Sequence, residues 1–464
     1  MSYDTLTAIA EYEGVRPDDL LVLAKKNDPW GAGSTPGLRR SAEWFAGLWR
    51  AFGYTRGVHL RRVHYQLVSQ EQPVLLPNGK PYQNTENCWN YLCEAGKQAR
   101  YQGLVAAEAF VDRRNPDPLI HRSDRGWLTG GSWEWDLAEW DFPQVEVACV
   151  FEADLARPTA EAWGYEGVQE LQPYLLEVWA EKTTMNDVLE PLCRRYQANL
   201  ITGMGFMSIT AVVDLLERIR QIGKPGRIFY ISDYDPAGYG MPIAVARQVE
   251  FWAQGEGLDV ALTPLVLTAD QVAQFRLPRA PVKSSDRRKA GWVATHGAGA
   301  VELDALEALY PGELAGIVSR ALARYHDATL DHQAEEQRWA LQRAARLAVR
   351  EATEPFLDEL GRLEDEIGLV TDGYRPQIQL VLERLEDLRA EMQEELAPLI
   401  EEAEDLRAQM QSALEDIDLD PDRDYPLPEP EVAGDDDEPL FSTRRDYLDQ
   451  LAAYQAHQGN GGGI

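Results

Sequence analysis

The chain has 464 residues, which corresponds to about three domains at roughly 150 residues each. Its 44% hydrophobic and 26% charged residues are typical of folded soluble proteins and exclude collagen-like, mucin-like and membrane-spanning classes. The N-terminal residues are acidic where a secretory signal would be basic and then apolar. We therefore expect a cytoplasmic protein with no membrane partner.

Negative charge is concentrated in the last third of the chain. The formal net charge is −32, and the residues from Asp331 onwards account for −23 of it, with 35 Asp and Glu, 12 Arg and no Lys. The preceding residues have a net charge of only −9, so their charge does not exclude a nucleic-acid partner. One hypothesis is that the acidic region mimics DNA or docks a basic partner; a solvated surface explains it equally well.

Cysteine and histidine patterns point away from a zinc site or a disulfide framework. The four cysteines form no CxxC pair, and the seven histidines form no HExxH motif. A metal ion in this protein would therefore be held by carboxylates.

The first part of the chain has the pattern of a helical DNA-binding domain. Residues 1–40 are predicted to form an N-terminal arm, and residues 41–125 contain three helical segments. Before the third segment, LLPNGKPYQN has the Pro, Asn and Gly of a β-turn, as in the wing of a winged helix. These features predict a winged-helix (CAP-like) domain.

The middle of the chain changes to an α/β pattern. Residues 126–169 lack periodicity and are predicted to form a connecting segment, whereas residues 170–310 alternate short β-like runs with helical stretches. This alternation predicts a doubly wound domain with a parallel sheet, whose chemistry lies beyond the carboxyl ends of its strands. The predicted strands are Leu175–Trp179, Ala198–Thr202, Arg227–Ser232 and Val260–Leu267.

The C-terminal part is predicted to be helical and then disordered. Within residues 311–417, apolar residues recur every seven positions, which is typical of a helical hairpin or coiled coil; the segment TDGYRPQ would supply the turn. Residues 418–464 are acidic and end in a Gly-rich run, so they are predicted to form a disordered tail. The heptad positions are Ile378, Leu385, Met392, Leu399, Leu406 and Ala413.

The motif SDYDPAGYGM is the strongest chemical signal in the sequence. Asp233 and Asp235 directly follow a predicted strand, and Glu181 follows an earlier one. Three carboxylates at strand ends could hold a hard cation such as Mg²⁺, with Mn²⁺ as a possible substitute. The alternative is that DYDPAG is simply a turn and helix cap, since Asp, Pro and Gly are ordinary turn residues.

These motifs together resemble the Toprim domain. The Glu181-Lys182 pair, the segment TGMGFMSIT before a helix, and the DxDPxG motif are similar to those of the topoisomerase VI A subunit and its meiotic double-strand-break relatives. The resemblance covers about residues 170–270. It implies that Glu181, Asp233 and Asp235 are the metal ligands of a Toprim domain, and that Lys182 contacts phosphate.

The resemblance extends to the predicted winged-helix domain. In that family, a domain of this type precedes Toprim and carries a catalytic tyrosine shortly after an arginine; in HLRRVHYQL these correspond to Tyr65 and Arg61. The phenolate would attack a DNA phosphorus and leave a 5′-phosphotyrosyl end. Arg61 would stabilise the charge, and His64 would accept the proton or hold phosphate. The chain departs from the family pattern at His64, often an aromatic, and at Met204–Met207, often a Lys-Gly-Tyr-Pro-like run.

The family also implies partners and further contacts. We expect a homodimer that makes double-strand breaks in nucleoid DNA as a type IIB topoisomerase-like enzyme. Because the chain has no P-loop or ATPase signature, strand passage would need a separate GHKL-type ATPase B subunit. Basic residues that are candidates for DNA contact, or else for a solvated face, are Arg62, Lys97, Arg100, Arg113, Arg114, Lys283, Arg287, Arg288 and Lys289.

Two other functions remain open at this stage. The chain could be a Toprim-type nuclease that hydrolyses DNA or RNA with metal-activated water, in which case Tyr65 is only structural. It could also be a non-catalytic DNA-binding scaffold whose helical region recruits partners.

Overall fold

The computed structural model describes residues 3–144, 153–282, 284, 286, 288–380, 385–435 and 438–459. The chain divides into two compact units. Unit 1 contains Met1–Arg125, Gln172–Ala328 and Glu431–Ile464, and unit 2 contains Gly126–Leu171 and Thr329–Pro430.

Helices and strands are numbered here in chain order. The helices are α1 (Tyr3–Glu13), α2 (Pro36–Ala51), α3 (Leu60–Val68), α4 (Glu86–Tyr101), α5 (Asn186–Arg195), α6 (Ile209–Ile222), α7 (Met241–Trp252), α8 (Ala269–Gln274), α9 (Lys289–His296), α10 (Leu303–Leu309), α11 (Glu313–Ala323), α12 (Leu330–Thr353), α13 (Leu357–Leu380), α14 (Leu385–Glu415), α15 (Pro421–Asp424) and α16 (Tyr447–Gly459). The strands are β1 (Ser132–Asp136), β2 (Thr159–Trp163), β3 (Leu175–Ala180), β4 (Asn199–Thr202), β5 (Gly226–Ile231), β6 (Val260–Val266) and β7 (Phe441–Ser442).

A five-stranded sheet forms the centre of unit 1. Its strand order is β4-β3-β5-β6-β7, and all neighbours are parallel except β6 and β7. Every residue of β3 and β5 is buried, because α6 and α7 pack on one face of the sheet and α5, α10 and α11 pack on the other. The predicted mixed α/β class and the four predicted parallel strands are confirmed.

The N-terminal part of unit 1 is a group of three helices with a tight turn. Helices α2, α3 and α4 share one apolar core that includes Phe45, Val63 and Leu92. The side chains of Thr35 and Thr85 cap α2 and α4 by accepting a backbone N–H, which explains where these helices begin. Between α3 and α4, residues 74–82 fold back as a hairpin, with Tyr82 N–H donating to the Val74 carbonyl.

The predicted disordered tail is ordered over much of its length. Strand β7 pairs antiparallel with β6, and Phe441 and Tyr454 are buried in the core of unit 1. The prediction of disorder rested on the acidic and Gly-rich composition. It missed the apolar residues between those stretches, which pack on a sheet made of residues far away in the sequence.

Unit 2 joins a small sheet to long helices. Strands β1 and β2 pair antiparallel, and helix α12 packs on both, so residues 126–169 do more than connect two domains. Helices α13 and α14 pack as a hairpin, as predicted, but the TDGYRPQ segment lies inside α13 with Pro376 in the helix. Helix α13 therefore continues through this segment to Leu380, and near its end the Tyr374 hydroxyl donates to Glu395 Oε1 of α14 at 2.6 Å.

Candidate functional site: the carboxyl edge of the sheet in unit 1

The carboxylates singled out in the sequence lie where the strand order reverses. From β3 the chain passes to β4 on one side and later to β5 on the other, so β3 and β5 flank the switch point of the sheet. In doubly wound sheets this is where ligands bind, beyond the carboxyl ends of the strands. Glu181 directly follows β3, and Asp233 and Asp235 come shortly after β5.

A hydrogen bond joins the two strand ends. The Asp233 backbone N–H donates to Glu181 Oε2 at 3.0 Å, and the Glu181 N–H donates to the Ile231 carbonyl. Asp233 is buried; its Oδ1 accepts the Leu303 N–H at 2.8 Å, and its Oδ2 lies 2.7 Å from Lys182 Nζ. The structure therefore brings Glu181, Lys182 and Asp233 together.

Asp235 shapes the turn that follows β5. Its Oδ1 accepts the backbone N–H groups of Ala237 and Gly238 at 2.8 and 2.6 Å. A Cβ at Gly238 would lie 2.2 Å from the Asp233 carbonyl oxygen, so the turn requires glycine there. Asp235 thus acts as a turn-forming residue as well as a candidate ligand, which combines the two interpretations that the sequence left open.

The site is strongly acidic and partly desolvated. Burial, together with the nearby Asp233 and Asp235 carboxylates, raises the pKa of Glu181 to about 7. Burial would lower the pKa of Lys182, but its hydrogen bond with Asp233 and the surrounding acids raise it instead. Excess buried negative charge of this kind is stabilised by a cation.

Two acidic residues were missed by the sequence analysis. Glu302 and Asp304 lie at the start of α10, with carboxylate oxygens 3.9 and 3.4 Å from Lys182 Nζ. Val301, beside them, forms a backbone bridge with Tyr234 in the DYDPAG segment. Acids at a helix start are common, so long-range contacts such as this bridge and the hydrogen bond from Leu303 to Asp233, rather than the sequence, identify them as part of the site.

Oxygen donors of this kind suit Mg²⁺ or Mn²⁺. In the described residues, no three Asp, Glu, His or Cys side chains already surround one point as a metal would require. Lys182 Nζ contacts Asp233, and Glu181 accepts a backbone N–H, so these carboxylates have partners within the protein. Metal binding would exchange such partners for the ion.

An aromatic cluster lies behind the DYDPAG turn. The Tyr234 hydroxyl is 2.8 Å from His296 Nδ1, and His296 stacks on Trp292. Tyr239 stacks on His457 of α16 with ring centroids 4.4 Å apart, and its hydroxyl donates to the His457 carbonyl. Helix α16, predicted to be disordered, therefore packs against the turn that carries the candidate ligands.

Tyr65 and Arg61 lie on an exposed face of α3. They are four residues apart and so point to the same side of the helix; Tyr65 is 55% exposed. The Arg61 guanidinium lies 5.0 Å from the centre of the Trp89 ring. A nucleic-acid strand could reach both side chains.

His64 is oriented away from the role expected for it. The ring is buried, with Nδ1 2.7 Å from the Tyr82 hydroxyl and Nε2 3.1 Å from Asn84 Oδ1. Both ring nitrogens are held by these neighbours, so His64 braces α3 against the hairpin rather than standing free beside the Tyr65 hydroxyl.

The predicted DNA-contacting residues differ in exposure. Arg62 and Arg113 are exposed, and Arg114 is exposed with Nη2 donating to the Met204 carbonyl. Arg100 is buried under the Phe110 ring, and Lys97 pairs with Glu94 at 2.9 Å. Arg288 pairs with Asp286, and Lys289 begins α9. Lys283 and Arg287 lie outside the described residues. Burial makes Arg100 unavailable to DNA in this arrangement.

A cavity of about 610 Å³ lies between the N-terminal helices of unit 1 and the part of unit 1 that contains the sheet. It is lined by Leu60 of α3, Lys97 of α4, Phe206 from the loop after β4, and Ala244 and Gln248 of α7. Phe206 is half exposed. Phe206 and Met207 of the loop after β4 thus line this cavity.

No protein-family model matches the chain, and no curated protein matches its sequence. Among the described residues, no helix is both long enough and apolar enough to span a membrane.

Proposed function

We propose that this protein is a DNA-cleaving transesterase that makes double-strand breaks through Tyr65. The observation that carries the proposal is the hydrogen-bonded pair of strand ends at the sheet switch point, where Glu181 accepts the Asp233 N–H in an acidic, partly buried site. An exposed tyrosine with an arginine one helical turn away, in the same unit, supplies a nucleophile and a phosphate-binding group.

The metal site is part of the proposal. Glu181, Asp233 and Asp235 would hold Mg²⁺ or Mn²⁺, which when bound would neutralise charge on the phosphate oxygens. Lys182 would hold a nonbridging oxygen, and Glu302 and Asp304 would keep its ammonium in place.

The chain's own residues would carry out the transfer. A bond would form between Tyr65 Oη and the phosphorus while the bond from phosphorus to the 3′ oxygen breaks. The phenolic proton would end on the freed 3′ oxygen and give a 3′ hydroxyl, so that rejoining is the reverse of cleavage. Arg61 would hold the phosphate oxygens as charge develops on them. A second protomer would cut the other strand, and strand passage would require a separate ATPase subunit.

The experiment uses supercoiled plasmid with Mg²⁺ or Mn²⁺, quenched with detergent and run on gels with and without protease. We expect broken DNA that enters the gel only after protease treatment. Tyr65→Phe should abolish cleavage, whereas Tyr12→Phe, at a tyrosine that is 89% exposed in α1, should cut like the unmodified protein. Unchanged cutting by Tyr65→Phe would reject the transesterase.

Hydrolysis is the second candidate, and the position of His64 favours it. Because Tyr82 and Asn84 hold both ring nitrogens, His64 does not provide the base that Tyr65 would need. A nuclease that activates water at the carboxylate site needs no tyrosine. It predicts nicked or linear DNA or RNA whose mobility does not depend on protease, with activity retained in Tyr65→Phe and lost in Asp233→Asn.

A further inference from the structure

The second half of α12 differs in charge from the rest of unit 2. Residues 338–350, RWALQRAARLAVR, contain four arginines and no acidic residue. Helix α14 in the same unit has ten Asp and Glu and only two arginines. This segment is therefore positively charged within an acidic unit.

Four of these side chains form one exposed face, which we call the α12 ridge: Trp339, Arg343, Arg346 and Arg350. Successive members are four, three and four residues apart, so they follow one side of the helix for about 16 Å. All four are exposed, Trp339 by 51%. The opposite side of α12 packs into the cores of unit 2 through Leu341, Ala345 and Val349.

The arginines of the α12 ridge have no acidic partner. Within the described chain, none of the three guanidinium groups forms an ion pair or a side-chain hydrogen bond. Arg362 of α13 provides a contrast, since it pairs with Glu366 and Glu402. In a unit with so many carboxylates, three unpaired arginines on one face leave a site for an external anion.

A cavity adjoins the α12 ridge. Its volume is about 480 Å³, and Arg346 and Arg350 line it together with Arg157 from the segment before β2. Its apolar lining comes from Ala160, Val349 and Leu357, with Glu161 as an acidic member. A planar apolar group could enter the cavity while its attached anion contacts the arginines.

We propose that the α12 ridge and this cavity bind single-stranded nucleic acid. Guanidinium groups recognise phosphate oxygens through paired N–H donors. An exposed indole stacks on an unpaired base, which a duplex does not offer. The Arg338 guanidinium lies 5.2 Å from the centre of the Trp339 ring and adds a cation beside that stacking surface. The site requires neither a metal ion nor Tyr65, so it is independent of the proposed cleavage.

The test measures binding of the full chain, in EDTA, to a fluorescent oligothymidylate over a range of salt concentrations. The variant R343Q/R346Q/R350Q is compared with R362Q/R375Q/R389Q, which removes the same charge from α13 and α14. We expect binding at least about tenfold weaker in the first variant, with a salt-dependence slope lower by about two, and no change in the second. W339A should weaken single-strand binding about tenfold and W339F much less, with duplex binding unchanged in both.

Three results would overturn the proposal. Equal weakening by both triple variants would mean that only overall charge matters. Absence of binding by the unmodified chain at low salt would reject the site outright. Displacement of the oligonucleotide by polyglutamate, as effectively as by unlabelled oligothymidylate, would identify a site for an acidic polypeptide instead.

Discussion

Unit 1 and unit 2 both contain many carboxylates but hold them differently. At the switch point of unit 1, Glu181 and Asp233 are bonded to backbone N–H groups and Lys182, and burial raises the pKa of Glu181 to about 7. Most of the ten acids of α14 are exposed on a helix surface. The number of acidic residues therefore does not identify a functional site, whereas their burial and their hydrogen-bond partners do.

The largest expected effect compares a buried ion pair of unit 1 with an exposed one of unit 2. Glu177 is fully buried and accepts from Arg218 Nε at 2.7 Å, with Trp179 and Asn199 as further donors. Arg218→Met leaves that carboxylate without its cation and should cost about 3–5 kcal/mol of the free energy of unfolding.

Arg362→Met is the matched change in unit 2. Its partners Glu366 and Glu402 are solvated, so we expect no resolvable loss of the free energy of unfolding. Urea denaturation followed by circular dichroism measures both variants. Similar losses of unfolding free energy in the two variants would show that the buried ion pair of unit 1 stabilises the protein no more than the exposed ion pair of unit 2.

Glycine substitutions should have opposite signs in the two units. Gly238→Ala places a Cβ against the Asp233 carbonyl and should cost about 3 kcal/mol, because backbone must move. Gly361→Ala in α13 meets open space and should stabilise the protein by about 0.5–1 kcal/mol. The same denaturation experiment compares them, and a neutral Gly238→Ala would mean that the turn is adaptable.

The last of these effects depends on pH. Burial, with a contribution from His296, lowers the pKa of His457 to about 4, while the unfolded chain has an ordinary value near 6.5. The unfolded state therefore binds more protons as pH falls below 6.5, and at pH 5 this removes about 2 kcal/mol of stability.

The measurement is urea denaturation at pH 7, 6 and 5 with His457→Phe as the comparison. Phenylalanine keeps an aromatic ring against Tyr239 but cannot titrate, so the stability of the variant should fall less with acid. Identical pH profiles would show that His457 is not the group responsible.

The sequence predicted best what depends on local pattern. The alternation of apolar runs and helical stretches located β3 to β6 within one or two residues, and the DxDPxG motif located the switch-point turn. These features succeed because buried parallel strands are mostly apolar and a tight turn favours Asp, Pro and Gly.

Other parts of the fold depend on contacts between distant residues and could not be predicted in this way. Strand β7 pairs with β6 across about 180 residues, and β2 packs on α12 across a similar separation. Glu302 and Asp304 reach the candidate site through long-range contacts, which include the bridge between Tyr234 and Val301 and the hydrogen bond from Leu303 to Asp233. The function itself stays a prediction, since a turn and an exposed tyrosine do not by themselves define a reaction.

The pairing of β7 with β6 has a consequence for the newly made chain. All of α12, α13 and α14 is synthesised after β6 and before β7. At about 5–20 residues per second, the 175 residues from 266 to 441 take roughly 10–35 seconds to appear. Throughout that interval, the outer edge of β6 lacks its neighbouring strand. Its unpaired backbone groups can form hydrogen bonds with other nascent chains, so we expect aggregation during expression to begin at this edge.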